Sequence, residues 1–292
     1  MELFFLQIVN GLSVGSIYAL VALGYTMVYG IAKLINFAHG EIIMVGSYVV
    51  WFCFNTLALP LWLAVVISIL TCAIVGVVIE RIAYKPLRNV SRISLLITAI
   101  GVSYFLQSLF QLLFTANSRS FPVVIKLNEI HVGGISILAN YWVTFVVSVL
   151  LMILLERFVK MTKTGKAMRA VSEDRGAAQL MGINIDKTIA ITFAIGSALA
   201  AVAGILYSSS YPFITPYMGS TLGIKAFIAA VLGGIGSIPG AAIGGFLLGL
   251  IESLSKAYIS SQLADAIVFS VLIIVLVIKP SGILGKNRKE KV

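Results

Sequence analysis

The chain has 292 residues, 60% of them hydrophobic and only 11% charged, with a mean hydropathy of +1.05. A soluble protein does not need so much apolar surface, and this composition excludes an ordinary soluble enzyme or binding domain. The net charge of +10 could indicate a nucleic-acid-binding protein. However, most Lys and Arg residues fall in three patches, 81–92, 157–187 and 279–292. Such patches mark the cytoplasmic loops of a multi-pass membrane protein and argue against nucleic acid as a partner.

Runs of about twenty residues with almost no charge recur along the chain, as expected of transmembrane helices. The sequence therefore predicts an all-α, polytopic transmembrane bundle that forms a single domain over residues 1–292. Both cysteines, Cys53 and Cys72, lie in apolar stretches, so neither a disulfide framework nor a metal site is predicted. The apolar segments are 5–30, 36–55, 58–80, 93–115, 139–157, 188–208, 223–254 and 264–279.

Segment 223–254 is too long for one membrane span and short for two. Its glycine- and proline-rich middle weakens helix continuity, so we predict a broken pair of shorter helices around a buried turn. This gives about nine membrane segments. With the basic patches inside, the N-terminus lies outside and the C-terminus lies in the cytoplasm. Trp51, Trp62 and Trp142 then fall near outer helix ends, where interfacial tryptophan is expected.

The second segment begins with the polar motif NFAHGE, which contains Asn36, His39 and Glu41. Ionisable groups are costly inside a membrane, so the motif indicates a translocation path or gate. In a structural alternative, Asn36 caps the helix and Glu41 is stabilised near its N-terminus. A proton relay is a further alternative, because histidine titrates near neutrality. Tyr18 is another candidate for the path, unless it makes an interhelical hydrogen bond.

Residues 158–187 form a long polar passage between membrane segments and are predicted to be a cytoplasmic coupling segment. Within it, 164–182 is compatible with a helix and has Gly165 and Gly182 at its ends. No phosphate loop of the form G-x-x-x-x-G-K-[ST] is present, so an ATPase that powers transport must be another polypeptide. We expect 164–182 to receive the motion of that ATPase. The alternative is a solvated amphipathic helix.

The stretch GGIGSIPGAAIGG superficially resembles a dinucleotide-binding loop, with Glu252 at about the expected distance. This interpretation is rejected because the following helix is apolar on every face and no parallel-sheet pattern flanks it. Gly236, Gly240 and Gly244 instead recur at a four-residue spacing that lets membrane helices approach closely. They are predicted to form a tight helix-packing face.

The stretch RGAAQLMGIN resembles the EAA-x-x-x-G loop of ATP-binding cassette (ABC) importer permeases. Its two alanines and closing glycine match that motif, whereas Gly176 stands where the motif carries Glu. Two acidic residues about one turn earlier could supply the missing carboxylate. The residues expected to couple to the ATPase are Arg169, Glu173, Asp174, Ala177, Ala178 and Gly182.

Four motifs in order resemble the branched-chain amino acid ABC permease family over about residues 6–285: KLINFAHGEIIMVGSY, TGKAMRAVSEDRGAAQLMGIN, KAFIAAVLGGIGSIPGAAIGG and KPSGILG. The resemblance implies a subunit of the bacterial inner membrane, surrounded by lipid, that works by alternating access without catalytic residues or a cofactor of its own. It also implies a second related permease, two cytoplasmic ATPase subunits and a periplasmic substrate-binding protein. Related permeases carry urea or short amides. The alternative from another class is a proton-coupled secondary transporter that uses His39 and Glu41.

Overall fold

A computed structural model describes residues 2–88, 90–132 and 135–285. The α-helices of this part are α1 (Glu2–Ala32), α2 (His39–Asn55), α3 (Leu61–Ile79), α4 (Arg92–Phe114), α5 (Ala139–Met161), α6 (Lys163–Glu173), α7 (Arg175–Leu180), α8 (Ile185–Ser210), α9 (Met218–Gly233), α10 (Ile238–Tyr258) and α11 (Ala264–Ile278). The short strands are β1 (Arg119–Ser120), β2 (Ile130–Val132), β3 (Ile135–Ile137) and β4 (Phe213–Ile214).

Six helices of the described part are long and apolar enough to cross a membrane, namely those built on α1, α3, α4, α5, α8 and α10. The chain is therefore a polytopic helical membrane protein, as predicted. Helices α9 and α11 are apolar but shorter. Each predicted apolar segment overlaps a helix, and segment 223–254 overlaps both α9 and α10.

The broken pair differs from its prediction, because α10 has 21 residues and is a full-length candidate span. The side chain of Ser237 accepts a hydrogen bond from the Gly240 amide at 3.2 Å and so caps the start of α10. Pro239 lies in the first turn, where its missing N–H removes no helical hydrogen bond. The proline therefore begins a helix here rather than breaking one, and only α9 is short.

Helix α1 is largely buried and packs antiparallel to α10 through small residues. A Cβ atom added to Gly15 would lie 2.9 Å from the carbonyl oxygen of Gly245. Helices α2 and α3 are joined by the Ser68 hydroxyl, which donates to the Gly46 carbonyl at 2.7 Å. Close backbone approach of this kind is how helices associate in lipid, where burial of apolar surface contributes little.

The described parts of the basic patches lie at one end of the bundle, which we call the basic end. Arg88 binds Asp186 at the start of α8, with 2.6 Å between Nη1 and Oδ1. The guanidinium of Arg175 in α7 donates to the carbonyl of Ala32, the last residue of α1. These contacts tie the segment that follows α3 to the beginning of α8, and the end of α1 to α7.

The opposite end, which we call the strand end, carries the pairing of β1 with β4. There the Arg119 guanidinium lies 4.6 Å from the ring centroid of Trp51. The side-chain amide of Asn140, at the start of α5, donates to the Ser209 carbonyl at 2.6 Å. The loops that follow α4 and α8 are thus tied to each other, and they hold the last turns of α2 and the start of α5 away from the basic end.

Residues 279–285 follow α11 and run along the turn between α9 and α10. The backbone amide of Ile283 donates to the Leu232 carbonyl at 2.9 Å, and that of Leu284 donates to the Gly233 carbonyl at 2.9 Å. The last carbonyls of a helix have no partner inside the helix. Residues 283 and 284 supply partners for two of those of α9.

The sequence predicts one helix over 164–182. The structure instead has two helices there, α6 and α7, which meet at Asp174. The φ and ψ angles of Asp174 are −150° and 115°, outside the helical region. Its Oδ1 atom accepts a hydrogen bond from the Ala177 amide at 3.0 Å and caps α7. This local cap competes with continuation of α6 and ends it.

Candidate functional site

Loop 33–38 enters the bundle from the basic end before α2 begins. The imidazole of His39 lies against Gly24, where a Cβ atom would overlap the ring. Gly24 is eight residues before the end of α1, so α2 starts about 12 Å inside the bundle from that end. Non-helical backbone at membrane depth occurs where it is buried in protein or lines a cavity. In many transporters, such discontinuous helices form the substrate site.

The carboxyl group of Glu41, in the first turn of α2, is completely buried. Its Oε1 atom accepts hydrogen bonds from the hydroxyls of Ser103 at 3.0 Å and Ser220 at 2.8 Å. The side-chain amide of Gln107 donates to the same Ser220 oxygen at 3.4 Å. The Oε2 atom has no hydrogen-bond partner among the described residues. Side chains of α2, α4 and α9 thus converge on one carboxyl group.

The other two residues of the NFAHGE motif lie beside this group. His39 packs against the Tyr25 ring with 4.9 Å between centroids, and its Nε2 atom has no hydrogen-bond partner in the described chain. The Oδ1 atom of Asn36 accepts a hydrogen bond from the Tyr84 hydroxyl at 2.7 Å. Helix α2 begins after Ala38 without any side-chain cap. The alternative in which Asn36 caps α2 is therefore wrong.

Tyr18 lies in a different polar cluster. Its hydroxyl donates to Oε2 of Glu252 at 2.7 Å. The other carboxylate oxygen, Oε1, is 2.8 Å from Nζ of Lys225 and 2.6 Å from Nζ of Lys256. Lys225 also binds Asp265 at 2.8 Å. This Glu252 cluster joins α1, α9, α10 and α11. Tyr18 thus makes the interhelical hydrogen bond that the sequence analysis gave as its alternative.

The predicted coupling residues lie at the basic end on α6, α7 and the turn that follows. Ala178 is buried against the bundle at 3% exposure, while its neighbours Leu180 and Met181 are 90% and 82% exposed. Gly182 has a φ angle of +79°, which favours glycine, and no atom of a described residue lies within 4 Å of a Cβ added there. The exposed members of the predicted set are Arg169, Glu173, Asp174, Ala177 and Gly182.

A family model described as the branched-chain amino acid transport system permease component matches residues 7–277. The chain belongs to this permease family. It is 47% identical to the high-affinity branched-chain amino acid transport system permease protein LivH of Salmonella typhimurium, over 99% of this chain and 98% of that protein. It is 46% identical to the corresponding protein BraD of Pseudomonas aeruginosa, over 98% of this chain and 97% of that protein. A probable LivH of Methanocaldococcus jannaschii is 32% identical, over 94% of this chain and 90% of that protein.

The permease contains one contact at the coupling segment that the sequence analysis missed. Arg175, at the start of α7, is half-buried and donates to the carbonyls of Ile31, at 3.5 Å, and Ala32. Its burial and the nearby Arg88 guanidinium lower its pKa, but arginine stays protonated in proteins. A cation at the C-terminus of a helix is stabilised by the helix dipole. Arg175 thereby joins the coupling segment to the helix that leads into loop 33–38.

The glycines of the permease's 236–244 stretch have two different roles. A Cβ atom on Gly240 would lie 2.5 Å from the Gly233 carbonyl oxygen, and one on Gly244 would overlap that of Ala229. Both therefore permit close approach of α9 and α10. A Cβ atom on Gly236 would meet no atom of the described residues within 4 Å, and its φ angle is +96°. Gly236 is explained by the conformation of the turn and not by packing.

Proposed function

We propose that this chain is the membrane-spanning permease subunit of an ABC importer for branched-chain amino acids in the bacterial inner membrane. The observation that carries the proposal is the 47% identity to LivH of Salmonella typhimurium, which extends over almost the whole of both proteins. The matched length covers loop 33–38, the coupling segment and the closing residues 279–285. The chemistry is alternating access without covalent steps, and ATP is hydrolysed on separate chains.

The importer assembles from this chain, a second related permease, two ATPase subunits and a periplasmic binding protein that delivers the amino acid. The surface around Leu180 and Met181 supports an ATPase contact, because two large apolar side chains project from a polar segment. Ala178 anchors the same short helix to the bundle. A force that the ATPase applies to α7 would therefore be transmitted to the bundle through the buried side chain of Ala178.

We place the basic end in the cytoplasm and the strand end outside. Gathering of the basic patches at one end supports this orientation, because loops rich in Lys and Arg stay on the cytoplasmic side. In this arrangement nine helices enter the membrane, with the N-terminus outside. The helices are α1–α5 and α8–α11.

Reconstitution in proteoliposomes tests the energy source. With its partner permease, ATPases and binding protein, the chain should accumulate L-leucine without a pH gradient and should stop when ATP is withheld. His39→Gln removes the titratable group but keeps polarity and approximate size, so uptake should fall modestly and remain dependent on ATP. Uphill uptake by the purified chain alone, driven by a pH gradient, would instead establish a proton-coupled carrier.

Cysteine labelling tests the orientation. In a background that lacks Cys53 and Cys72, a cysteine at the exposed position Ser118 should react with an impermeant thiol reagent added to the periplasmic side of intact spheroplasts. A cysteine at the exposed position Lys166, in α6, should react only after the membrane is opened. The reverse pattern would overturn the orientation.

A further inference from the structure

Glu41 is an acid inside the bundle, and none of the described residues is a cationic partner for it. No salt bridge among the described residues involves it: Lys225 is bound to Glu252 and Asp265, and Arg88 is bound to Glu80 and Asp186. An unpaired ionisable group in a membrane is costly and marks a functional site. In the described part of the chain, its Oε2 atom lacks even a neutral hydrogen-bond donor.

Any occupant of this site has to supply hydrogen-bond donors. The two serine hydroxyls donate their protons to Oε1 of Glu41, and each hydroxyl oxygen still has a lone pair available. The atoms left free on the Glu41 carboxylate and the two hydroxyls are therefore all acceptors. A primary ammonium group carries three donors and a positive charge, so it complements this arrangement, whereas a carboxylate would be repelled.

Helix α4 lies between the Glu41 site and the outside of the bundle. It packs mainly on α2 and on the π-helical turn Glu80–Tyr84, and most of its surface lies outside the bundle. Its side-chain hydrogen bonds to the site come from Ser103 to Glu41 and from Gln107 to Ser220, the latter a long 3.4 Å. A displacement of α4 would expose the carboxyl group without unpacking α1 or α8.

We propose that Glu41, with Ser103 and Ser220, forms a transient subsite for the α-ammonium group of the amino acid as it crosses the membrane. This inference rests on the proposed function, since the ammonium group belongs to the cargo. The buried position of α2 places the subsite inside the bundle, at the end of loop 33–38. The aliphatic side chain and the carboxylate of the cargo are not held by Glu41.

The test compares Glu41→Gln with the native chain in the reconstituted importer, using radiolabelled L-leucine. Loss of one charge-assisted hydrogen bond should lower uptake by about tenfold or more, while ATP hydrolysis stimulated by the loaded binding protein stays within about twofold of native. Glu41→Asp keeps the charge and should give intermediate uptake. Glu156→Gln, the same change at an exposed acid on α5, should leave the ratio of uptake to hydrolysis unchanged.

Three results would overturn the subsite. In the first, Glu41→Gln transports leucine at the native ratio. In the second, uptake and stimulated ATP hydrolysis fall together, which shows a structural role only. In the third, native uptake requires sodium and the variant does not, which identifies a metal cation as the occupant. If the native assembly shows no ATP-dependent uptake of leucine, the proposed function itself fails.

A spectroscopic measurement separates binding from turnover. In difference infrared spectra of the native assembly, addition of L-leucine should shift a carboxyl band that is missing from Glu41→Gln. The same addition to Glu156→Gln should give the native shift. Absence of a band that depends on both Glu41 and leucine would contradict the proposal.

Discussion

The Glu252 cluster predicts a large loss of stability when one charge is removed. The side chain of Glu252 is only 3% exposed, and that of Lys225 is 11% exposed. Glu252→Ala leaves Lys225 with Asp265 alone, and Asp265 is 56% exposed. Removing one partner of a buried ion pair costs about 3–5 kcal/mol, because the other charge stays buried without compensation. The Tyr18 hydroxyl also loses its acceptor.

The comparison that isolates this effect uses a second ion pair in the same chain. Glu156 and Lys160 are 40% and 63% exposed, so Glu156→Ala should cost about 0–1 kcal/mol. Combining Lys225→Met with Glu252→Leu should recover the part of the loss that comes from the uncompensated charge, because two apolar residues replace a buried pair at little cost, although the Tyr18 hydroxyl still lacks its acceptor. Unfolding would be followed by SDS titration in detergent micelles. Equal losses for the two single alanine variants, or no recovery in the double variant, would refute the reasoning.

Three further changes test packing and coupling. Gly15→Val should destabilise the protein by about 1–3 kcal/mol or more by overpacking α1 against α10, whereas Gly101→Val, where an added Cβ meets nothing within 4 Å, should not. Gly182→Leu should cost about 1–2 kcal/mol for its left-handed backbone and should uncouple ATP hydrolysis from uptake, and normal coupling with the ATPase bound would contradict a contact there. Arg175→Lys should raise the ATP hydrolysed per leucine transported several-fold, because Nη2 of Arg175 reaches the carbonyls of both Ile31 and Ala32 and the shorter lysine side chain does not carry its ammonium group as far. Arg157→Lys, the same change at an exposed arginine on α5 outside the coupling segment, is the matched control and should keep the native ratio.

Hydropathy and charge alone predicted the helical membrane class and the gathering of the basic patches at one end. Both predictions depend only on which segments favour lipid and which favour water, and they do not require knowing which helices contact each other. The start of α2 was misplaced by three residues, because the Asn36 side chain binds Tyr84, 48 residues away. A hydrogen-bond partner 48 residues away cannot be predicted from the residues next to Asn36.

The break between α6 and α7 at Asp174 has a signal in the local sequence. An aspartate whose side chain can reach the amide three residues on is a common helix cap, and Ala177 is in that position. By contrast, the grouping of Glu41 with Ser103 and Ser220 depends on how three helices pack, and serine in an apolar segment has many possible partners. The polar motif pointed to Glu41, and the fold supplied its neighbours.

The contact of residues 283 and 284 with α9 has a consequence for biosynthesis. A ribosome delivers α9 about fifty residues before Ile283, as their separation in the sequence requires. Until then, the carbonyls of Leu232 and Gly233 lack the amides that later bind them. The α9–α10 turn therefore reaches its final form only after α11 has been inserted. A nascent chain arrested before Ile283 should show faster hydrogen exchange at this turn than a released one, and affinity tags belong beyond residue 285.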